Sequence, residues 1–227
     1  MRTRSWATSL ITTSLVVAAP AHAGTITLED RTWVFTAAPG ERNRITVESV
    51  PGGVRLRDTA VAPTGCPADG PDAVICTGAV LMTVRAGDGD DRVEARGTAL
   101  VAVDGGAGDD LLLGDAERND IEGGPGDDHI RGRGGPDQLD GGRGHDRVLG
   151  GAGNDTLEAM HGNDRLDGGP GNDGIGLSFT GDGVVRCGSG RDRIDAIYLF
   201  GDTGVRGTAS GSSTRAHGCG SRATTWS

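Results

Sequence analysis

The chain has 227 residues, 42 of them glycine, with 3% aromatics and only 44 Leu, Ile, Val and Phe together, a share near that of chains unable to fill an ordinary core. It carries 32 acidic residues against 22 basic ones, all of them Arg, for a net charge of −10. That balance argues against nucleic acid, whose binding requires basic side chains on phosphate, and against anionic lipid, while the missing lysine excludes a P-loop. Cations are the natural partners of such a chain.

Residues 1–23 read as a secretory signal peptide: Arg2 and Arg4, an apolar run from Leu10 to Ala19, then Ala21-His22-Ala23. Its apolar core is too short to span a membrane comfortably, so no membrane insertion is expected. Cleavage after Ala23 takes the net charge from −10 to −12 and places the protein in the secreted, extracellular compartment. Four cysteines suit that oxidising environment. They permit three pairings, of which the sequential one, Cys66 with Cys76 and Cys187 with Cys219, is favoured by the short loop "CPADGPDAVIC". No C-x-x-C pair supports a zinc site.

Residues 24–85 alternate polar and apolar side chains in "TITLE", "TWVFTA", "RITVES" and "GVRLRD", broken by Gly, Pro and Asn. They predict a β-rich N-terminal segment that caps the rest of the chain and holds the first disulfide. No stretch shows a sustained helical period.

From residue 86 to 195 a nonapeptide takes over. "GGAGDDLLL" at 105–113 returns as "GGPGDDHIR" at 123–131, "GGRGHDRVL" at 141–149, "GGAGNDTLE" at 150–158 and "GGPGNDGIG" at 168–176. With the two glycines as positions 1 and 2, position 6 holds Asp91, Asp110, Asn119, Asp128, Asp137, Asp146, Asp155, Asp164, Asp173, Asp182 and Asp192. Position 8 holds Val93, Leu112, Ile121, Ile130, Leu139, Val148, Leu157, Leu166, Ile175, Val184 and Ile194. Glycines turn the chain, and positions 7 to 9 form a short strand with its one aliphatic inward. A single aliphatic per unit buries itself only when units stack.

Two units per coil place alternate units in register about 4.8 Å apart. Asp110, Asp128, Asp146, Asp164 and Asp182 then form one column and Asn119, Asp137, Asp155, Asp173 and Asp192 the other. Carboxylates stacked at about 5 Å repel by roughly 3 kcal/mol per pair at an effective dielectric of 20, so a cation must lie between them. Carboxylate and carbonyl oxygens in a flexible turn suit several Ca²⁺ ions better than Zn²⁺ or Mg²⁺.

The motif G-G-x-G-x-D-x-U-x resembles that of the hemolysin-type (RTX) calcium-binding proteins. The resemblance implies an all-β, right-handed parallel β-roll, a β-solenoid with Ca²⁺ between successive turns. "VVRCGSGRDRID" at 184–195 is similar to the terminal repeat of secreted actinobacterial members of that group. Units 114–122, 159–167 and 177–185 depart from the pattern at their glycine positions, which puts their ion sites in question. Residues 196–227 read as a C-terminal cap and a Ser/Thr/Gly-rich tail.

No H-E-x-x-H and no G-x-S-x-G occurs, so the reading is a calcium-binding protein without a catalytic domain, folding as the ions bind. The alternative is a calcium-stabilised structural or adhesive module whose partner is an extracellular polysaccharide or surface protein. His129, His145 and His161 fall at positions 7, 5 and 3 and read as separate surface residues. Asn154-Asp155-Thr156 is a sequon inside a calcium turn, a poor glycosylation site. Arg92, Arg147, Arg165 and Arg193 at position 7, with Glu94, Glu122, Asp140, Glu158, Asp167 and Asp195 at position 9, predict exposed ion-pair rows, and position 5, variable in type, predicts side chains turned to solvent.

Overall fold

The computed structural model describes residues 24–29, 32–58, 66–78, 81–97, 101–179, 183–198 and 215–217. Every regular element among them is a strand. β1 (Thr25–Glu29) and β2 (Thr32–Thr36) pair antiparallel, and β3 (Arg44–Val50), β4 (Gly53–Asp58) and β5 (Ala73–Thr77) form an antiparallel meander. The rest are β6 (Leu81–Arg85), β7 (Arg92–Arg96), β8 (Val101–Asp104), β9 (Leu111–Leu113), β10 (Asn119–Pro125) and β11 (His129–Gly134). They continue as β12 (Gln138–Arg143), β13 (Arg147–Ala152), β14 (Thr156–Ala159), β15 (Arg165–Asp167), β16 (Gly174–Phe179), β17 (Val184–Arg186), β18 (Arg193–Tyr198) and β19 (Arg215–His217).

From β6 onward successive strands alternate between two sheets and pair parallel within each. The first runs β1-β2-β6-β8-β10-β12-β14-β16-β18 and the second β19-β17-β15-β13-β11-β9-β7-β3-β4-β5. Because a coil uses two nonapeptides, His129 lies beside Arg147 and Gln138 beside Thr156, eighteen residues on in each case. The result is the parallel β-roll that the repeat implies.

The core is two facing columns of side chains. Phe35, Val84, Val103, Ile121, Leu139, Leu157 and Ile175 stack along the first sheet. Ile45, Val93, Leu112, Ile130, Val148, Leu166 and Val185 stack along the second, and all of these are buried. Each contributes about 1.5–3 kcal/mol by leaving water, and only because the coils above and below cover it. The N-terminal strands are not a separate layer: Phe35 and Ile45 head the same two columns, so cap and roll share one core.

One register differs from the sequence reading. Val184 was expected at position 8, but it lies beside Arg165 at position 7, and Val185 is the buried residue beside Leu166. The Val184 N–H donates to the Asp164 carbonyl, as the Arg165 N–H does to that of Asp146. Unit 177–185 therefore carries one extra residue, which brings Gly183 rather than Asp182 to position 6; Asp182 itself lies outside the described residues. The sequence alone places this slip one unit later, at Arg186, because Val-Val offers an aliphatic in either frame.

Cys66 and Cys76 form a disulfide that ties the meander together. Cys187 is also disulfide-bonded, and its expected partner Cys219, like the signal segment and most of 196–227, lies outside the described residues.

Candidate metal-binding turns

Each turn is shaped by glycine where no side chain could fit. In unit 123–131, Gly124 and Gly126 have φ of +108° and +150°, and a Cβ on either would strike a carbonyl of the preceding coil. This close approach lets the coils hydrogen-bond turn to turn: the Gly126 N–H donates to the Arg143 carbonyl at 2.8 Å, and the Gly106 N–H to that of Gly123 at 3.0 Å.

Position 6 then builds a ladder. The Asp110 N–H donates to Asp128 Oδ1 at 2.8 Å, the Asp128 N–H to Asp146 Oδ1 at 2.9 Å and the Asp146 N–H to Asp164 Oδ1 at 3.0 Å. On the opposite turns the Asn119, Asp137, Asp155 and Asp173 N–H groups donate to Oδ1 of Asp137, Asp155, Asp173 and Asp192 at 2.8–3.0 Å. The two expected columns are thus present, apart from Asp182. Each carboxylate spends one oxygen on the ladder.

The other oxygen has no partner. Oδ2 of Asp91, Asp110, Asp128, Asp137, Asp146, Asp155, Asp164, Asp173 and Asp192 is buried and accepts no hydrogen bond. Nine such atoms are far outside the few that a fold of this size tolerates, and they recur at one structural position. Burial, ahead of all other causes, pushes Asp110, Asp137 and Asp146 up to about 7 and Asp91, Asp128 and Asp173 up to about 6. It raises Asp155 and Asp164 as well.

What faces these oxygens is a small cradle. A Cβ on Gly105, Gly123, Gly132, Gly150 or Gly168 would collide with Oδ2 of Asp110, Asp128, Asp137, Asp155 or Asp173. The same Cβ would lie within 2.7 Å of the carbonyl oxygen of Gly123, Gly141, Gly150, Gly168 or Cys187 on the next coil. A Cβ on Gly141 would likewise lie 2.7 Å from Oδ2 of Asp146, with that side chain rather than a carbonyl supplying its nearest neighbours. A carboxylate oxygen and a peptide oxygen thus border a space kept free by glycine, a donor set of hard oxygens that fits Ca²⁺. No three His, Cys, Asp or Glu side chains converge on a metal position among the described residues, so backbone carbonyls must complete any such site.

Not every unit keeps the cradle. Position 1 is Ala86 before Asp91, Ala159 before Asp164 and Cys187 before Asp192, each buried, so a Cβ stands where the other units have hydrogen. At the head of the columns asparagine replaces aspartate. Asn119 is legible in the sequence, and its Oδ1 is satisfied by the Asp115 N–H at 2.8 Å. Asn43 is not: its N–H donates to Asp91 Oδ1 at 2.6 Å, and its Nδ2 donates to the same oxygen and to the Ala86 carbonyl.

Position 5 carries exposed side chains, as the sequence reading has them, and these also build a second ladder. The Asp127 N–H donates to Asp109 Oδ1 at 2.9 Å, the His145 N–H to Asp127 Oδ1 and the Asn163 N–H to His145 Nδ1, both at 2.8 Å. Asn154 and Asn172 do the same on the opposite turns. Asp, Asn and His alternate there because each offers an acceptor at the same reach.

The histidines are not all apart. His129 and His145 line one surface cavity of about 310 Å³ with Asp146, Arg147, Asn163 and Arg165, whereas His161 is not among its lining residues. The ion-pair rows form only in part. Glu94 receives Arg92, Arg96 and Arg133, which hold it down to about 2, and Arg186 approaches Asp167 at 3.9 Å. Arg147 lies beside Arg165, and Glu122 beside Asp104 and Asp140, so there like faces like.

Stacked parallel coils with a column of inward carboxylates at their turns define a cation-binding repeat protein. The family model of the RTX calcium-binding nonapeptide repeat, in four copies, matches residues 104–139, 113–148 and 140–175. The chain carries RTX calcium-binding repeats over that span. No curated protein and no solved structure matches it.

Proposed function

We propose that this is a secreted calcium-binding module whose roll folds as the ions enter, and whose work is binding rather than catalysis. The observation that carries the reading is the set of buried, partnerless Oδ2 atoms. An uncompensated buried carboxylate is costly, and a hard divalent cation between coils supplies the missing charge. The six glycine-floored cradles, at Asp110, Asp128, Asp137, Asp146, Asp155 and Asp173, are the principal sites. Asp91, Asp164 and Asp192 hold weaker ones, since a Cβ narrows their cradles. Asn119, Asp182 and the turn of unit 177–185 contribute least, because no inward carboxylate is described in register there.

With few aliphatics and a strong negative charge, the ion-free chain has little to hold it together. Affinity per site is on the order of 10⁻⁴ to 10⁻³ M, as suits an extracellular module, and filling is cooperative because each ion orders two coils. Residues 1–23 supply the export signal for that compartment. A polysaccharide or surface-protein partner would meet two sheet faces of opposite charge.

Circular dichroism in EGTA and then in excess Ca²⁺, with equilibrium dialysis, tests the reading. A gain of β signal with several ions bound supports it. An unchanged spectrum with no ions bound overturns it.

A further inference from the structure

Over the central coils the two outward faces of the roll carry rows of opposite charge at the same spacing, the acidic row bounded by Arg85 beside Asp104. On the first sheet, Asp104, Glu122, Asp140 and Glu158 stand side by side in register, with Asp120 next to Glu122. On the second sheet, His129, Arg147 and Arg165 do the same, with Arg131 on the strand of His129. Among the described residues none of His129, Arg131, Arg147 and Arg165 pairs with a carboxylate, and none of Asp104, Asp120, Glu122 and Glu158 pairs with an arginine. Burial together with Asp104, Asp140 and Asp120 raises the Glu122 pKa, a sign that the acidic row lacks compensation.

Like charges directly across neighbouring strands are unfavourable, so each row gains from an opposite row laid over it. Both rows repeat at the strand spacing of about 4.8 Å, so one matches the other rung for rung. A surface that fits each row is carried by every other copy of the chain. We propose that the acidic face of one molecule docks on the basic face of a second copy. Such a contact is heterologous: each copy keeps one free face, and association continues into open stacks rather than closing as a dimer. Three or four rungs make a small, polar interface, so the contact is weak, reversible and sensitive to salt.

This association rests on the calcium reading in one respect. Bound ions offset the net negative charge, −10 for the full chain and −12 after loss of residues 1–23, which otherwise keeps copies apart. Dichroism and dialysis report on calcium alone, and molecular mass reports on stacking, so the two fail separately.

Sedimentation velocity of the calcium-loaded protein is the test, over a concentration series at about 20 mM and about 300 mM salt, roughly 20 Å and 6 Å of screening. Average mass should rise with concentration at low salt and return to the monomer at high salt. Arg147→Glu with Arg165→Glu, and separately Glu122→Arg with Glu158→Arg, should each remain monomeric while keeping the calcium-induced β spectrum. Mixed in equal amounts, the two charge-reversed proteins should associate again as pairs, because the untouched acidic face of the first then meets the untouched basic face of the second. A wild type that is monomeric at low salt throughout, or a mixture that does not recover, overturns the proposal. So does binding of dextran sulfate, but not dextran, by a wild type that never self-associates, which would assign the basic row to an external polyanion.

Discussion

The side-chain Nδ2 of Asn43 donates to Asp91 Oδ1 at 3.1 Å across 48 residues of sequence. An amide thus closes the column where every later coil presents a bare carboxylate oxygen. Asn43→Asp would set two carboxylates against each other without that donor, a loss of about 1–3 kcal/mol for the buried group left unpaired. The melting temperature at limiting Ca²⁺ should fall, and saturating Ca²⁺ should recover part of the loss. Equal losses at limiting and at saturating calcium would show that Asn43 acts by packing alone.

Asp127 and Asp128 are adjacent, and removing either takes away one negative charge. Asp128→Ala deletes both the acceptor for the Asp110 N–H and a cradle oxygen, so calcium stoichiometry should drop. Asp127→Asn keeps an acceptor for the His145 N–H and should bind the full complement, whereas Asp127→Ala should lose about 0.5–1.5 kcal/mol of stability at unchanged stoichiometry. Isothermal titration of the three variants decides it. A fall in stoichiometry for Asp127→Asn equal to that for Asp128→Ala would refute the register.

Acid should favour the ion-free roll. Asp110, Asp137 and Asp146 at about 7, with Asp91, Asp128 and Asp173 at about 6, lie above the unfolded value near 3.9. A raised carboxylate pKa means that the folded chain binds protons more tightly than the unfolded one. The associated stability is complete below about pH 4 and disappears as pH rises through 6 to 7. Dichroism in EGTA at pH 5.0 and 7.5 should show the larger folded fraction at pH 5.0, and calcium affinity should change in the opposite sense, since the ion competes with those protons. Greater ion-free stability at pH 7.5 would contradict the burial of these groups.

The cradle can be closed or opened by one methyl group. Gly141→Ala places a Cβ against Asp146 Oδ2 and should abolish one ion, while Ala159→Gly clears the space beside Asp164 and should strengthen another. Equilibrium dialysis at saturating Ca²⁺ counts the first, and titration at lower concentrations reads the second. Unaltered binding in both proteins would place the ions elsewhere in the turn.

What the sequence made legible is what a fixed interval controls. Gly-Gly, the position-6 carboxylate and the position-8 aliphatic recur every nine residues, so coil, column and core follow from counting, and Leu139 or Asp155 needs no tertiary information to be placed. Asn43 escaped because the meander β4–β5 separates it from Asp91, and nothing local marks "ERNR" as a turn of the roll. Val185 escaped because the slip falls within two like residues. The acceptor role of Asp127, His145 and Asn172 was hidden by variation in residue type that conserves hydrogen-bonding capacity. The opposed charges of the two faces emerge only when alternate units are sorted by sheet, which brings Glu122 beside Asp140 and Arg147 beside Arg165.

The two turn ladders run in opposite senses. At position 6 the N–H of one coil reaches forward to the carboxylate of the next, as Asp110 does to Asp128, while at position 5 the N–H of a coil reaches back, as Asp127 does to Asp109. Every interior coil is therefore clasped from both sides at the same corner. Pulled along the roll axis, adjoining coils part only when both clasps yield together, so rupture under force should come as discrete jumps of about eighteen residues, one coil at a time, rather than as a smooth peeling of single strands.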